Sequence, residues 1–394
     1  MLVAGVELTR EKADNDTYIL DYGPYTDNQK CPNGAGAASG YMCTSLFNPM
    51  PHDPWLGTMT AAGNPTSFRT DTVSIYGFDT MELTPRWSLN LGLRYDHYDT
   101  RQQNPASASG ERLSFSRDDG LFNVQLGAVY KPAPNGSIYA AYSTSSTPGG
   151  GTLGQGSESQ GISTTGRGAA SNGDQLAPEK NRSVELGTKW DVLERRLSLT
   201  GAVFRIETTN ARIANPDGSA SMGGDKVVNG VELGFAGNLT RQWQVFGGYT
   251  WLDSEGKNLG LSNVGTAAAP DWVPNPGTGL PFPNTPEHSF SLWTTYKPVR
   301  DWTLGAGLFY QDKVYGGYAY GATTPPGGTA IIRRSVPSFV RVDAMVGYVV
   351  NRNMTLQLNL QNLTDEVYYN TAYPSHYANI APGRSALLSA HLSF

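Results

Sequence analysis

The residues of this chain that are best suited to chemistry are aromatic and basic side chains in its irregular segments. They are Tyr315, Tyr318, Tyr320, Arg333 and Arg334 around one Gly- and Pro-rich stretch, Tyr368, Tyr369, Tyr373 and Tyr377 in the last such stretch, and Arg167 and Trp272 in two others. Aromatic faces and guanidinium groups suit the binding of a bulky anionic ligand. We take them as candidate ligand-binding residues, although each tyrosine could equally extend an aromatic band where strands end.

Other kinds of site find little support in the sequence. The histidines His52, His97, His288, His376 and His391 are scattered, without the spacing of metal ligands. No carboxylates are paired for acid–base catalysis, and no Gly-rich segment lies between a strand and a helix to hold a phosphate. The sequence therefore predicts no metal site, no cofactor and no catalytic residue.

Composition narrows the fold class. The 394 residues are 39% apolar, 11% aromatic and only 16% charged, with a net charge of −5. No apolar run approaches the roughly 18 residues that a membrane helix needs. Plentiful aromatics argue against disorder, and the weak negative charge argues against a nucleic-acid partner. Residues 1–7 lack the features of a signal peptide, which predicts either a cytoplasmic protein or a chain without its true start.

Alternation of period two recurs along the whole chain, whereas helical periodicity is almost absent. In Met354–Gln361, for example, apolar side chains alternate with amides and hydroxyls. This pattern predicts fourteen strands, at residues 1–12, 70–84, 86–100, 119–131, 135–147, 180–192, 195–210, 226–239, 241–254, 285–298, 301–314, 338–350, 353–364 and 384–394. Each is long compared with the five or six residues that are usual in soluble sheets.

The lengths of the connections identify the architecture. Tight links such as Thr84-Pro85-Arg86 alternate with long Gly/Pro/Ser/Asn stretches, such as residues 13–69, 148–179, 255–284, 315–337 and 365–383. A transmembrane β-barrel has short turns at one end and long loops at the other. The sequence therefore predicts an all-β protein, a single antiparallel up-and-down barrel domain over residues 1–394 that crosses an outer membrane.

Aromatic residues near the strand ends agree with a membrane-spanning barrel. They are Trp87, Tyr130, Trp190, Trp251, Tyr296, Trp302 and Tyr348. In a barrel they would form the girdles at the two membrane surfaces, whereas in a soluble protein they would be ordinary core residues.

Several segments of the chain resemble one protein family. The run Asn359–Tyr368, then Pro382-Gly383-Arg384 and a final Phe394, is similar to the carboxy-terminal region of TonB-dependent outer-membrane receptors. Leu176–Lys189, with Leu199–Ile206 after it, resembles the middle of the same barrel. Among these receptors the chain is most similar to those for ferric siderophores, particularly catecholates.

The resemblance implies a location, partners and a ligand. It implies the outer membrane of a Gram-negative bacterium, surrounding lipid, the inner-membrane TonB complex, and barrel-assembly machinery that recognises the terminal strand ending at Phe394. The ferric siderophore would be a transported ligand. Family members also carry a signal peptide, a TonB box, a plug domain and a barrel of about 22 strands. The fourteen strands match the last part of that barrel, so we expect a partial receptor with Met1 at an internal position.

The two cysteines, Cys31 and Cys43, both lie in the first long loop. In an oxidising compartment this predicts a disulfide between them, because a metal site would need further ligands.

Two alternative functions remain open. A free-standing barrel of fourteen strands could be a passive pore, if its first strand pairs with its last. An outer-membrane lipase would need a Ser–His pair, for which His97 with Ser114 or Ser116 is a weak candidate.

Overall fold

The chain folds into one large antiparallel sheet with four small hairpins in its long connections. The computed structural model describes residues 1–21, 58–148, 176–214, 220–265, 269–322, 329–373 and 378–393. In chain order the strands are β1 (Leu2–Asn15), β2 (Tyr18–Asp21), β3 (Thr58–Ala61), β4 (Thr66–Thr84), β5 (Trp87–Gln103), β6 (Ser114–Ala133), β7 (Gly136–Thr147), β8 (Glu179–Val192), β9 (Leu197–Ala214), β10 (Ala220–Asn238), β11 (Trp243–Gly256), β12 (Leu261–Asn263), β13 (Trp272–Pro274), β14 (His288–Tyr296), β15 (Trp302–Gln311), β16 (Val314–Ala322), β17 (Thr329–Val336), β18 (Phe339–Asn351), β19 (Met354–Gln361), β20 (Tyr369–Ala372), β21 (Ala378–Ile380) and β22 (Ser385–Leu392). Among the described residues, no helix is long and apolar enough to cross a membrane.

The main sheet, which we call the wall, contains fourteen strands in the order β1-β4-β5-β6-β7-β8-β9-β10-β11-β14-β15-β18-β19-β22. Each strand pairs antiparallel with the preceding and following members of this order, so all the tight turns lie at one end and all the long connections at the other. The prediction of fourteen antiparallel strands is therefore confirmed. In the described residues no pairing joins β1 to β22, so the closure that a free-standing pore requires is not found there.

The long connections are more regular than the sequence predicted. Residues 13–69, 255–284, 315–337 and 365–383 were expected to be irregular, but they contain the hairpins β2–β3, β12–β13, β16–β17 and β20–β21. In three of the hairpins the strands have only three or four residues and are too short to display a period, whereas β16 and β17 have nine and eight residues and were missed among the Gly and Pro residues around them.

The two faces of the wall have opposite character. Val6, Ile75, Tyr95 and Phe122 lie side by side on β1, β4, β5 and β6, and each is 44–68% exposed. We call this side the apolar face. Such a continuous apolar band is stable against hydrocarbon and is the outward surface of a membrane barrel.

The next row along the same strands lies on the opposite, polar face. There the Arg94 guanidinium donates hydrogen bonds to Glu7 (3.0 Å), Ser74 (2.8 Å) and Asp96 (2.8 Å). A one-residue step along each strand thus changes the surface from apolar to ionic, as the pleat of a β-strand requires.

Turn chemistry and aromatic pairs mark the tight-turn end. The Thr84 hydroxyl accepts hydrogen bonds from the backbone N–H groups of Arg86 and Trp87, and Thr240 does the same before Trp243. On the apolar face at this end, Trp87 contacts Tyr130 with ring centroids 4.6 Å apart, and Trp302 contacts Tyr348 at 4.7 Å. Trp87, Trp302 and Tyr348 are exposed, which fits a girdle and not a core.

Glycines opposite aromatic rings recur across the wall. In seven directly paired positions, a β-carbon on the glycine would lie within 3.0 Å of the ring on the next strand. The pairs are Gly5–Tyr76, Gly92–Phe78, Gly136–Trp190, Gly187–Tyr139, Gly230–Phe204, Gly247–Phe235 and Gly307–Trp293. Each ring therefore lies flat over its neighbour, because the glycine leaves the space that a side chain would fill.

Candidate functional site

The β16–β17 hairpin carries five of the candidate ligand-binding residues. Tyr318 is paired directly with Arg333, and a bulge at Gly316 brings the Tyr315 and Tyr318 rings to 5.7 Å. The ammonium group of Lys313 lies 5.7 Å from the centroid of the Tyr315 ring. The hairpin thus joins aromatic faces and cationic groups in one small area, as cation–π contacts require.

The hydroxyls of Tyr318 and Tyr320 are engaged by the preceding loop. Tyr318 donates to the carbonyl oxygen of Pro281 (2.8 Å), and Tyr320 to that of Pro274 (2.7 Å), two residues after Trp272. Burial raises the pKa of the Tyr318 hydroxyl above its usual value. These two hydroxyls therefore join loops, whereas ligand contact by the rings stays a prediction.

The last loop packs against the same hairpin. Val314, Val336 and Ala372 form a small buried core, and Tyr369 packs on it. A β-carbon on Gly316 would lie within 3.0 Å of the carbonyl oxygen of Tyr373, so only glycine permits this approach of two backbones. Tyr369 and Tyr373 therefore lie where the two loops meet.

Tyr368 lies in a different environment from its neighbours. It is 5% exposed and stacks against Phe339 with ring centroids 4.3 Å apart. Arg341 donates to its hydroxyl (3.2 Å) and also pairs with Asp343 (3.0 Å). In this structure Tyr368 anchors the start of the last loop to the polar face of the wall.

Asn284 connects all three of these loops and was missed at the level of sequence. Its backbone N–H donates to the Tyr315 carbonyl (2.8 Å), and its side-chain amide both donates to the Ala372 carbonyl (3.0 Å) and accepts from the Ala372 N–H (2.9 Å). We call residues 257–287, 312–338 and 362–384, as far as they are described, the three-loop unit. It lies at the long-connection end of the wall.

The segment that carries the carboxy-terminal resemblance closes the last loop. Asn362, which is 2% exposed, accepts from the Glu366 N–H (2.9 Å) and donates to the Glu366 carbonyl (2.9 Å), while its own N–H donates to Asp343 (2.9 Å). The Arg384 N–H donates to Asp365 (2.9 Å), and this bond holds the pKa of that carboxyl below its usual value. The motif is therefore a structural clasp at the base of the loop.

The mid-chain segment has an equally local explanation. Glu185 accepts a hydrogen bond from the Tyr139 hydroxyl (2.6 Å), and Gly187, two residues later, leaves room for the same ring. Leu186 between them points to the apolar face and is exposed. Glu-Leu-Gly thus encodes one cross-strand contact on the polar face and one lipid-facing side chain.

Arg333 is the candidate that offers a charge to a ligand. Its side chain is exposed, and its guanidinium makes no hydrogen bond or ion pair with any residue that the structure describes. Arg334 has partners of its own. Arg167, Tyr377, the Cys31–Cys43 pair and Phe394 lie outside the described residues, so the predictions for them stand untested.

Neither a metal site nor a hydrolase site is assembled in the described part of the chain. It contains no group of three or more His, Cys, Asp or Glu side chains that could hold a metal ion. His97 lies on the apolar face, and its neighbour on β6 is Gly120. Ser116 is four residues further along, roughly 13 Å at the rise of a β-strand, which is too far for a Ser–His pair.

A comparison with known families matches most of the chain. Residues 8–363 match the family "TonB dependent receptor-like, beta-barrel". A probable TonB-dependent receptor of Bordetella pertussis, BfrD, is 43% identical over 356 residues, which are 90% of this chain and 45% of that protein.

Two solved structures are similar over the whole wall and its loops. The crystal structure of the siderophore receptor PiuA from Acinetobacter baumannii has 34% identity and a TM-score of 0.83, covering 99% of this chain and 52% of its own. The closed form of the ferric-catecholate import receptor Fiu from Escherichia coli K12 has 30% identity and a TM-score of 0.76, covering 100% and 52%. The chain spans about half the length of the curated relatives that it matches.

Proposed function

Because the chain belongs to the family of TonB-dependent receptor-like β-barrels, we propose that it forms the loop-bearing part of a receptor that binds and imports ferric siderophores. The family consists of receptors and not enzymes, and its place is the outer membrane of Gram-negative bacteria. The name of one similar protein, the siderophore receptor PiuA, supports a siderophore as the ligand, and that of another, the ferric-catecholate import receptor Fiu, supports a catecholate.

The observation that carries this proposal is the surface of the three-loop unit. The described tyrosines of the β16–β17 hairpin, Lys313 and the exposed Arg333 lie together at the long-connection end of the wall. A ferric catecholate is bulky, aromatic and negatively charged, so stacking and guanidinium contacts complement it. The siderophore is bound as cargo for transport, not retained as a cofactor.

Other partners belong to the same proposal. Exposed Leu388 and Leu392 on the apolar face of β22 would contact lipid, and the carboxy-terminal residues 385–394 would be recognised during barrel assembly. Energy for import would come from the inner-membrane TonB complex. The alternative of a passive pore lacks support in the described residues, because β1 and β22 are not paired there.

Arg333→Ala tests the proposal. The protein is expressed from its natural gene in a Gram-negative strain without siderophore receptors of its own, and binding of iron-labelled siderophores is measured. Loss of one charge-assisted contact should weaken binding of a ferric catecholate about tenfold, with a smaller effect on an uncharged ferric hydroxamate.

The matched control is Arg86→Ala. Arg86 is an exposed arginine in a tight turn at the opposite end of the wall, so its loss should leave binding unchanged. Failure of the wild-type protein to bind any ferric siderophore would overturn the proposal.

A further inference from the structure

Asn284 occupies a position in the three-loop unit that its own loop does not explain. It lies in the connection before β14, between Pro283 and Thr285, with a φ of 55°. From there its backbone reaches Tyr315 on β16 and its side chain reaches Ala372 on β20. One residue therefore bonds to the backbones of both other loops.

The bonds to Ala372 require the chemistry of a primary amide. The Asn284 side chain accepts from the N–H and donates to the carbonyl of one and the same residue, as an adjacent strand would do. Aspartate has no donor for the carbonyl, and glutamine is one methylene longer. Asparagine also tolerates positive φ better than most residues, so the sequence meets both demands at this position.

The other contacts between the loops leave this junction dependent on Asn284. The Tyr318 and Tyr320 hydroxyls tie the hairpin to residues 257–287, but they do not reach the last loop. The hairpin meets the last loop through the small Val314–Val336–Ala372 core and the backbone approach at Gly316. Three side chains bury little apolar area, so directional hydrogen bonds matter more here than in a large core.

We propose that Asn284 is a positioning residue, which holds the three loops as one rigid ligand-binding surface and so sets siderophore affinity without contacting the ligand. This inference rests on the proposed function. Its physical basis is preorganisation: Arg333 on the hairpin and the aromatic residues of the last loop contribute together only if their relative position is fixed before binding.

Asn284→Gly separates the side chain from the backbone conformation. Glycine accepts the positive φ but removes both bonds to Ala372. Hydrogen exchange, followed by mass spectrometry on the assembled protein in detergent, should become about five to ten times faster in peptides covering residues 314–322 and 369–373. Affinity for a ferric catecholate should fall by a similar factor.

Two further variants make the experiment decisive. Asn284→Asp keeps an acceptor for the Ala372 N–H but sets a carboxylate against the Ala372 carbonyl, so it should also accelerate exchange and weaken binding. Asn353→Gly is the matched control, because Asn353 likewise donates from its side chain to a backbone carbonyl, that of Ser393 (2.7 Å), at the tight-turn end. It should change neither the exchange of the loops nor the affinity.

The outcomes distinguish the inference from the function on which it rests. Faster exchange with weaker binding in both Asn284 variants supports it. Weaker binding with unchanged exchange would make Asn284 a ligand contact, and faster exchange with unchanged affinity would make the junction irrelevant to binding; either result overturns the inference alone. Absence of binding by the wild-type protein overturns the proposed function and the inference together.

Discussion

The wall and the three-loop unit are stabilised in different ways. In the wall, long strands pair continuously, and each residue repeats the contacts of the residue two positions away. In the three-loop unit, a few side chains bond to backbone groups that are distant in sequence, such as Asn284 to Ala372, 88 residues away. The wall therefore depends on a pattern that many residues share, whereas the loops depend on single residues. In the wall, a substitution should therefore lower the free energy of unfolding most when it violates the alternation of apolar and polar side chains. In the loops, it should do so most when it removes one specific hydrogen-bonding group.

The largest effect is expected from a charge on the apolar face. Leu186→Arg places a guanidinium in the outward band of β8, which should lower the free energy of unfolding by about 2–4 kcal/mol. Denaturant titration of the protein in lipid vesicles measures the change. Ser183→Arg, on the polar face of the same strand, is the control and should cost far less. Equal costs for the two variants would contradict the assignment of the faces.

An intermediate effect is expected where the wall meets the last loop. Asp343→Asn removes the carboxylate that pairs with Arg341 and accepts from the Asn362 N–H. Asp343 is buried, whereas the Arg341 side chain is 29% exposed. The substitution should therefore lower the free energy of unfolding by about 2 kcal/mol, which is less than for a fully buried pair.

The same titration checks this value against a surface pair. Asp365→Asn breaks the exposed contact with Arg384, and we expect it to lower the free energy of unfolding much less than Asp343→Asn does. If Asp365→Asn proves as costly as Asp343→Asn, burial is not the difference between the two sites.

The smallest effect is expected when the pH is lowered and the Asp365 carboxylate becomes protonated. The pKa of Asp365 is lowered, first by the backbone hydrogen bond from Arg384, so the folded state favours the charged carboxylate. The stabilisation is present above the unfolded value of 3.8 and is lost as the pH falls through the lower folded value. Protection against hydrogen exchange in residues 362–384, taken relative to the intrinsic rate at each pH, should therefore fall below about pH 4 in the wild type. In Asp365→Asn this acid-dependent step should disappear, and its persistence would assign it to another group.

The same contrast explains what could be predicted from sequence. All fourteen wall strands overlap their predicted ranges, because alternation is repeated over eight to twenty residues in each. The ends are less accurate: β6 begins at Ser114, whereas residues 119–131 were predicted. The first residues of β6 are mostly polar and continue the strand pairing beyond the apolar band, so the hydropathy pattern does not show that they belong to the strand.

The ligand-binding role of the candidate residues stays a prediction, and the structure adds contacts that residue type alone does not reveal. Tyr318 and Tyr320 were chosen as ligand contacts, yet their hydroxyls bond to the carbonyls of Pro281 and Pro274 in another loop. Asn362 was part of the resemblance, but its function as a clasp depends on where Glu366 and Asp343 lie in space. Asn284 has no local signal at all beyond the surrounding prolines, since its partners come from two other loops.

The glycine–aromatic pairs have a consequence for how the strands find their alignment. A shift of the strand register by one residue would turn every side chain to the wrong face. A shift by two residues would keep each side chain on its own face, so the hydropathy pattern alone does not exclude it. It would, however, move the Tyr76 ring away from Gly5 and the Phe204 ring away from Gly230, onto positions that carry a side chain. The aromatic rings and the glycines opposite them thus specify the strand register, because they disfavour two-residue shifts that the alternation alone would allow.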